Sequence, residues 1–196
     1  MNIANFLTLG RLVVSPIFIF VYVHHEQLSI SYERLPFVLL ALFAVSETSD
    51  LVDGYIARKY SQVTDFGKIV DPMADSVFRS SMFLAFTQGS VQLPVFFVFI
   101  LFYRDSIIAS LRTICAMQGK VLAARFSGKL KSLILALCSL SIIILMILHS
   151  TQHIDLDNLQ IMSRYIVSFG CFYVVLSGLE YLYVNRENIV HSIQNI

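Results

Sequence analysis

Charge is what this sequence has least of. Asp, Glu, Lys and Arg make up 14% of its 196 residues, whereas 57% are hydrophobic, and the mean hydropathy is +0.73. That scarcity excludes an ordinary soluble domain and leaves a polytopic membrane protein. The net charge of +1 offers no basic surface for nucleic acid. In such a chain the placement of Lys and Arg matters more than their sum. Cysteine is sparse as well. Cys115, Cys138 and Cys171 sit singly in apolar runs, with no CxxC or Cys/His spacing, and read as small packing residues rather than disulfides or metal ligands. Long hydrophilic linkers, internal repeats and low-complexity tracts are missing too, so a single membrane domain over residues 1–196 is the simplest organisation. The N-terminal MNIANFLTLGR leads into an apolar run without a small-residue cleavage pattern, as a retained first helix would.

A membrane-crossing helix needs about 20 mostly apolar residues. That length predicts an all-α chain of six transmembrane helices near 7–24, 35–57, 70–89, 93–117, 129–149 and 161–184. Asn5 or Thr8 is expected to cap the first, which carries Pro16 as a tolerated kink. Pro72 fits the first turn of the third helix if that helix starts near 70, although a start near Asp65 is also open. Polar breaks are expected at Gln88–Pro94, Gly119–Arg125 and Ser150–Asn158. One set of helix ends holds Arg11, Arg58, Lys59, Lys68, Lys120, Arg125, Lys129, Lys131 and Arg186, the other only Arg34 and Arg164. Both termini are therefore expected on the cytoplasmic side, in a bacterial case the cytoplasmic face of the inner membrane.

Against this background one stretch stands out. DLVDGYIARKYSQVTDFGKIVDPMAD, from Asp50 to Asp75, holds five aspartates in 26 residues. The apolar part of the second helix, Leu35–Val45, is too short to cross a bilayer, so the helix must continue through Glu47, Asp50 and Asp53. Aspartates at membrane depth cost several kcal/mol on insertion scales and are functional by default. On a helix Asp50 and Asp53 lie about 60° apart and Asp71 and Asp75 about 40° apart, so each pair shares a face. Four gathered carboxylates would repel one another unless a cation sat among them, and a hard divalent ion such as Mg²⁺ or Mn²⁺ prefers such ligands. Gly54 and Gly67 would let a ligand approach the backbone, Ala57 is small, and Arg58 offers a planar fork to a phosphate. Read one at a time, Asp65 suits a helix start, and Arg58 and Lys59 a cytoplasmic boundary. Phosphoryl chemistry and ion transport both remain open on the residues alone.

The spacing Asp50-x-x-Asp53-Gly54-x-x-Ala57-Arg58, eight residues, Gly67-x-x-x-Asp71-x-x-x-Asp75 resembles the signature of the CDP-alcohol phosphotransferase family at every position. The resemblance implies that family's six-helix membrane fold. It also implies transfer of a phosphoalcohol or phosphatidyl group from a CDP-linked donor to an alcohol, with release of CMP. One or two Mg²⁺ or Mn²⁺ ions would be held by Asp50, Asp53, Asp71 and Asp75, with Asp75 also the general base. Asp50, Gly54, Ala57, Arg58 and Gly67 would line the CDP site, and a homodimer is implied.

The acceptor must be read from the second half. Arg104 and Asp105 interrupt an apolar run, Arg112 follows about 80° round the helix, and Gly128-Lys129-x-Lys131 opens the fifth helix. Buried arginine needs an anionic partner. Asp105 or the aspartate cluster would serve Arg104, and a phosphate on the acceptor would serve as well. Lys131 and Arg125 read as boundary residues. Asn5-Phe6-Leu7-Thr8-Leu9-Gly10-Arg11 with Pro16, RDSIIASLR and GKLK are similar to segments of the bacterial phosphatidylglycerophosphate synthases within the family. That similarity implies CDP-diacylglycerol as donor, glycerol 3-phosphate as acceptor, and Arg104, Arg112 and Lys129 as acceptor-phosphate ligands. Two positions depart from the subfamily pattern: Ser76 stands where many relatives have Lys, and Asp105 where they commonly have Glu. Arg79, one turn beyond Ser76, is a candidate to restore the charge. Inositol phosphate, serine or another alcohol are the alternative acceptors, and a small ion transporter the alternative outside enzymes. His149, His153, Asp155 and Asp157 read as a solvated loop, and Glu180 as a polar contact near the cytoplasmic mouth.

Overall fold

The computed structural model describes residues 3–59, 65–117 and 126–194. Among them it contains six helices and no strand: α1 (Ile3–Val23), α2 (Leu35–Lys59), α3 (Asp65–Ala85), α4 (Val95–Met117), α5 (Phe126–Ser150) and α6 (Leu156–Gln194). Each predicted helix is present. Thr8 is not a cap, because α1 starts at Ile3 and passes through it. α3 starts at Asp65, so Pro72 lies inside the helix and forfeits one backbone hydrogen bond there. The break expected at Gly119–Arg125 lies outside the described residues apart from its flanks. α6 runs 39 residues, well past the expected 161–184, and spans about 58 Å at 1.5 Å per residue.

Three helices are long and apolar enough to cross a membrane, with qualifying segments at Leu35–Val52, Phe126–Ser150 and Leu156–Glu187. The outer surface is strongly apolar, as lipid solvent favours, and several polar side chains lie within an otherwise apolar interior. Phe20, Phe96, Phe99, Phe102, Tyr165, Phe169 and Phe172 are exposed, whereas Thr8, Arg11, Ser46, Arg79, Lys131 and Ser177 are buried. Apolar side chains on the outside and paired polar groups within are what a bilayer selects. The chain is an integral membrane protein.

α3 is central, packing on α1, α4 and α5, while α6 packs on α4 and α5 and α2 packs on α1 and α5. α1 and α3 run parallel, as the contacts Thr8–Asp71 and Tyr22–Gln88 show. At one end the core is aromatic. Phe18 meets Phe78 and Phe86 edge-on at 6.2 and 6.0 Å, a geometry favoured by the ring quadrupoles. The expected turn after α3 is there, with Gly89 at φ +62°; a Cβ on it would lie 3.0 Å from the Tyr22 hydroxyl. Glycine relieves both constraints.

Leu135, Cys138, Ser139, Ile142, Leu145 and Met146 form the buried stripe of α5, spaced by three and four residues as helix packing requires. That stripe begins one turn earlier, at Lys131. All three cysteines are buried, as packing residues.

Candidate active site

The polar residues collect at the opposite end from the aromatic core, in two adjoining networks. The first joins α1, α2, α3 and α5. Thr8 Oγ1 donates to Asp71 Oδ1 at 2.6 Å. Arg11, one turn along α1 and only 2% exposed, pairs with Asp50 of α2. Thr8 and Arg11 therefore hold one aspartate from each half of the signature. Asp75 Oδ1 accepts from Arg79 Nε at 2.9 Å, and its Oδ2 accepts from Ser132 Oγ of α5 at 3.0 Å. Arg79 Nη2 also lies 3.3 Å from Glu47 Oε1.

The second network joins α3, α4, α5 and α6. Asp105 is its hub. Its Oδ1 accepts from Arg104 Nη1 and from Lys131 Nζ, both at 2.9 Å, and its Oδ2 from Ser76 Oγ at 2.8 Å. Arg104 Nη2 reaches Ser177 Oγ at 3.3 Å. Gly178 makes room for that arginine, since a Cβ there would lie 3.1 Å from Arg104 Cγ. Arg112 Nε donates to the Tyr181 hydroxyl at 3.2 Å, with its guanidinium 5.3 Å from the ring centroid, close enough for a cation–π contribution.

The two networks touch through consecutive residues: Asp75 and Ser76 of α3 face Ser132 and, through Asp105, Lys131 of α5. The subfamily departures Ser76 and Asp105 are hydrogen-bonded to each other. A short hydroxyl meets a short carboxylate, and the cation comes from Lys131 on a third helix.

Sequence reasoning placed Lys131 at a solvated boundary. It is 7% exposed, and its place in the α5 stripe was the signal for burial. Lys129, two residues away and about 200° round the helix, is exposed. Glu47, Arg79 and Ser132 were not among the expected site residues. Arg79 was expected only as a candidate to restore the charge at Ser76; it turns instead to Asp75 and Glu47, while the lysine beside Ser76 and Asp105 is Lys131. Arg11 read as a boundary charge and is instead a buried partner of Asp50. His149 Nδ1 lies 3.0 Å from the Ile154 carbonyl, closing the end of α5.

Asp53, Gly54, Ala57 and Arg58 lie on α2 and Gly67 on α3, and the surroundings of their side chains fall outside the described residues. Among the described residues no three acids, histidines or cysteines converge on one point. Asp50 of α2 and Asp71 and Asp75 of α3 are carboxylates that face α1 or α5, and hard oxygen donors are the type that suits Mg²⁺ or Mn²⁺. Asp50 and Asp71 each meet their α1 partner through Oδ1. In kind, the donors fit.

Comparison with known proteins agrees with this arrangement. Residues 1–176 match the family described as CDP-alcohol phosphatidyltransferase. The CDP-diacylglycerol–glycerol-3-phosphate 3-phosphatidyltransferase of Bacillus subtilis is 32% identical, over 97% of this chain and 98% of its own length. The protein of the same name from Rickettsia typhi is 29% identical over 92% and 94%. A probable phosphatidylglycerophosphate synthase of Mycobacterium tuberculosis is 32% identical over 69% of this chain and 62% of its own. With the signature intact and nearly the whole length matched, the chain belongs to the CDP-alcohol phosphatidyltransferase family.

Proposed function

We propose that this protein transfers the phosphatidyl group of CDP-diacylglycerol to glycerol 3-phosphate, giving phosphatidylglycerophosphate and CMP. The observation that carries the reading is the junction of two oppositely charged networks at Asp75–Ser76. An acidic layer suited to a metal-bound pyrophosphate abuts a cationic cluster suited to a phosphorylated alcohol. The names of the relatives from B. subtilis and R. typhi support the same donor and acceptor.

On this reading Asp50, Gly54, Ala57, Arg58 and Gly67 hold the CDP portion. Arg104, Arg112 and Lys129 hold the acceptor's phosphate. A guanidinium carries five N–H donors, so Arg112, spending one on Tyr181, keeps others for a phosphate. One or two Mg²⁺ or Mn²⁺ ions, held by Asp50, Asp53, Asp71 and Asp75, would neutralise charge on the pyrophosphate and on departing CMP. Asp75 takes the proton of the acceptor hydroxyl as its oxygen bonds to the phosphatidyl phosphorus and the bond from phosphorus to the CMP oxygen breaks. The helices around Asp75 keep water from competing with the alcohol.

The same reading makes residues 1–196 one domain with six membrane crossings. Its polar end faces the cytoplasm, where the excess of Lys and Arg lies, and two copies form a homodimer. Acyl chains of the donor would enter from the lipid while the cytidine end reaches the polar layer.

The test is CMP release by purified protein from CDP-diacylglycerol, offered glycerol 3-phosphate, inositol phosphate, serine and choline in turn, with and without a divalent cation. Release with glycerol 3-phosphate alone, abolished by chelation, is expected. Release with a different alcohol overturns the acceptor, and cation flux without CMP release overturns the enzyme.

A further inference from the structure

Arg79 has no part in the steps above, and no signature position includes it. It is nevertheless 5% exposed, in a chain that has little charge to spare. Helical side chains lean toward the helix N-terminus, so a residue at i+4 reaches back over residue i. Arg79 does this with Asp75, donating from Nε to Oδ1 at 2.9 Å. Its second anchor is Glu47 of α2, with Nη2 to Oε1 at 3.3 Å. Asp75 is bonded on its other oxygen by Ser132 at 3.0 Å.

The consequence is a fixed carboxylate. A guanidinium is planar, and one held by carboxylates from two helices keeps its plane. A carboxylate bonded at both oxygens has one orientation, yet each oxygen retains a lone pair, and the Asp75 side chain is 22% exposed. It is therefore held in one orientation while remaining partly open to a hydroxyl. Lysine at 79 would carry the charge but present a single ammonium point, which cannot tie two carboxylates in one plane. Taking a guanidinium out of water is unfavourable unless carboxylates pair with it, and Glu47 provides the second of these.

We infer that Arg79, seated by Glu47, is a positioning residue for Asp75: with Ser132 it fixes the direction in which Asp75 accepts the hydroxyl proton. This rests on Asp75 being the base of the proposed transfer, and Arg79 acts only through it.

The experiment is steady-state kinetics on wild type, Arg79→Gln, Arg79→Lys, Glu47→Gln, Asp75→Asn and the double variant Asp75→Asn/Arg79→Gln. Arg79→Gln should lower kcat on the order of 10–100-fold, a share of the roughly 10²–10⁴-fold that a placed base supplies. KM for both substrates should stay within about twofold. Arg79→Lys should recover part of the turnover, and Glu47→Gln should lose several-fold. In the Asp75→Asn background, Arg79→Gln should cost nothing more, because the two act as one unit. Unchanged kcat in Arg79→Gln, a rise in KM in place of the fall in kcat, or a full additional loss on Asp75→Asn would each overturn the inference. If Arg79→Gln does not accumulate in membranes, Arg79→Lys and Glu47→Gln decide, and wild-type kcat in both overturns it. Wild-type protein that releases no CMP with any acceptor overturns the functional reading instead, before any variant is compared.

Discussion

The two polar networks handle charge in opposite ways. In the first, four carboxylates, Glu47, Asp50, Asp71 and Asp75, meet two arginines, Arg11 and Arg79. In the second, Arg104, Lys131 and Arg112 gather around one carboxylate, Asp105, and one phenol, Tyr181. Among the described residues the first holds more negative than positive groups and the second more positive than negative. On the proposed reaction a divalent cation would bring positive charge to the first and a phosphorylated alcohol negative charge to the second. The acidic network is also tied to α1 and α2, the cationic one to α4 and α6, with α3 and α5 shared. On the proposed assignment, donor and acceptor chemistry would lie on different helices and meet at Asp75–Ser76.

The comparison breaks first at Asp75. Asp75→Asn should cut CMP release about 10³-fold, within the range for a lost general base, while binding of CDP-diacylglycerol, measured at equilibrium, changes far less. Asp105→Asn attacks the other side. It leaves Lys131 and Arg104 buried with a neutral partner, and removing one member of a buried pair costs about 3–5 kcal/mol. A lowered unfolding midpoint in detergent is the expected readout. Arg112→Ala should raise KM for glycerol 3-phosphate about 10-fold or more and leave that for CDP-diacylglycerol nearly unchanged; equal changes would mean that the networks do not divide the substrates. Ser76→Ala removes one hydrogen bond to Asp105 and should destabilise by about 1 kcal/mol, visible as a small shift of the same midpoint. Smallest of all, Lys129→Ala at an exposed site should leave stability within about 0.5 kcal/mol and weaken glycerol 3-phosphate only a few-fold.

The acidic layer was legible because its information is local. Asp71 and Asp75 are four residues apart, and a helix puts them on one side whatever surrounds them. What the spacing could not tell is where each one turns: Asp71 goes to Thr8 of α1 and Asp75 to Ser132 of α5. Those partners are 63 and 57 residues away, and no periodicity relates them. The six helices were legible for the same local reason, since apolar length marks them, while ends such as that of α6 blur where charges begin. Arg11 and Lys131 were misplaced because a positive residue near a helix end has two fates, solvent or a buried partner. The positive-inside count treats both alike. Only the α5 stripe, running 131, 135, 138, 142, separated Lys131 from its exposed neighbour Lys129. Arg104 and Arg112 were recognisable as unusual charges in an apolar run, but their seats on Ser177 and Tyr181 come from α6, whose sequence carries no fixed spacing to α4.

The missing side chain at Gly178 gives a handle for redesign. Arg104 rests against that bare backbone, and a single added methyl would meet its Cγ at 3.1 Å. Gly178→Ala would therefore push on the guanidinium from behind, altering its reach by tenths of an ångström without changing any charge. A graded series at 178, from Gly to Ala to Ser, would act as an adjustable wedge behind Arg104, and on the proposed role of that arginine it should change the response to the acceptor before the response to the nucleotide donor.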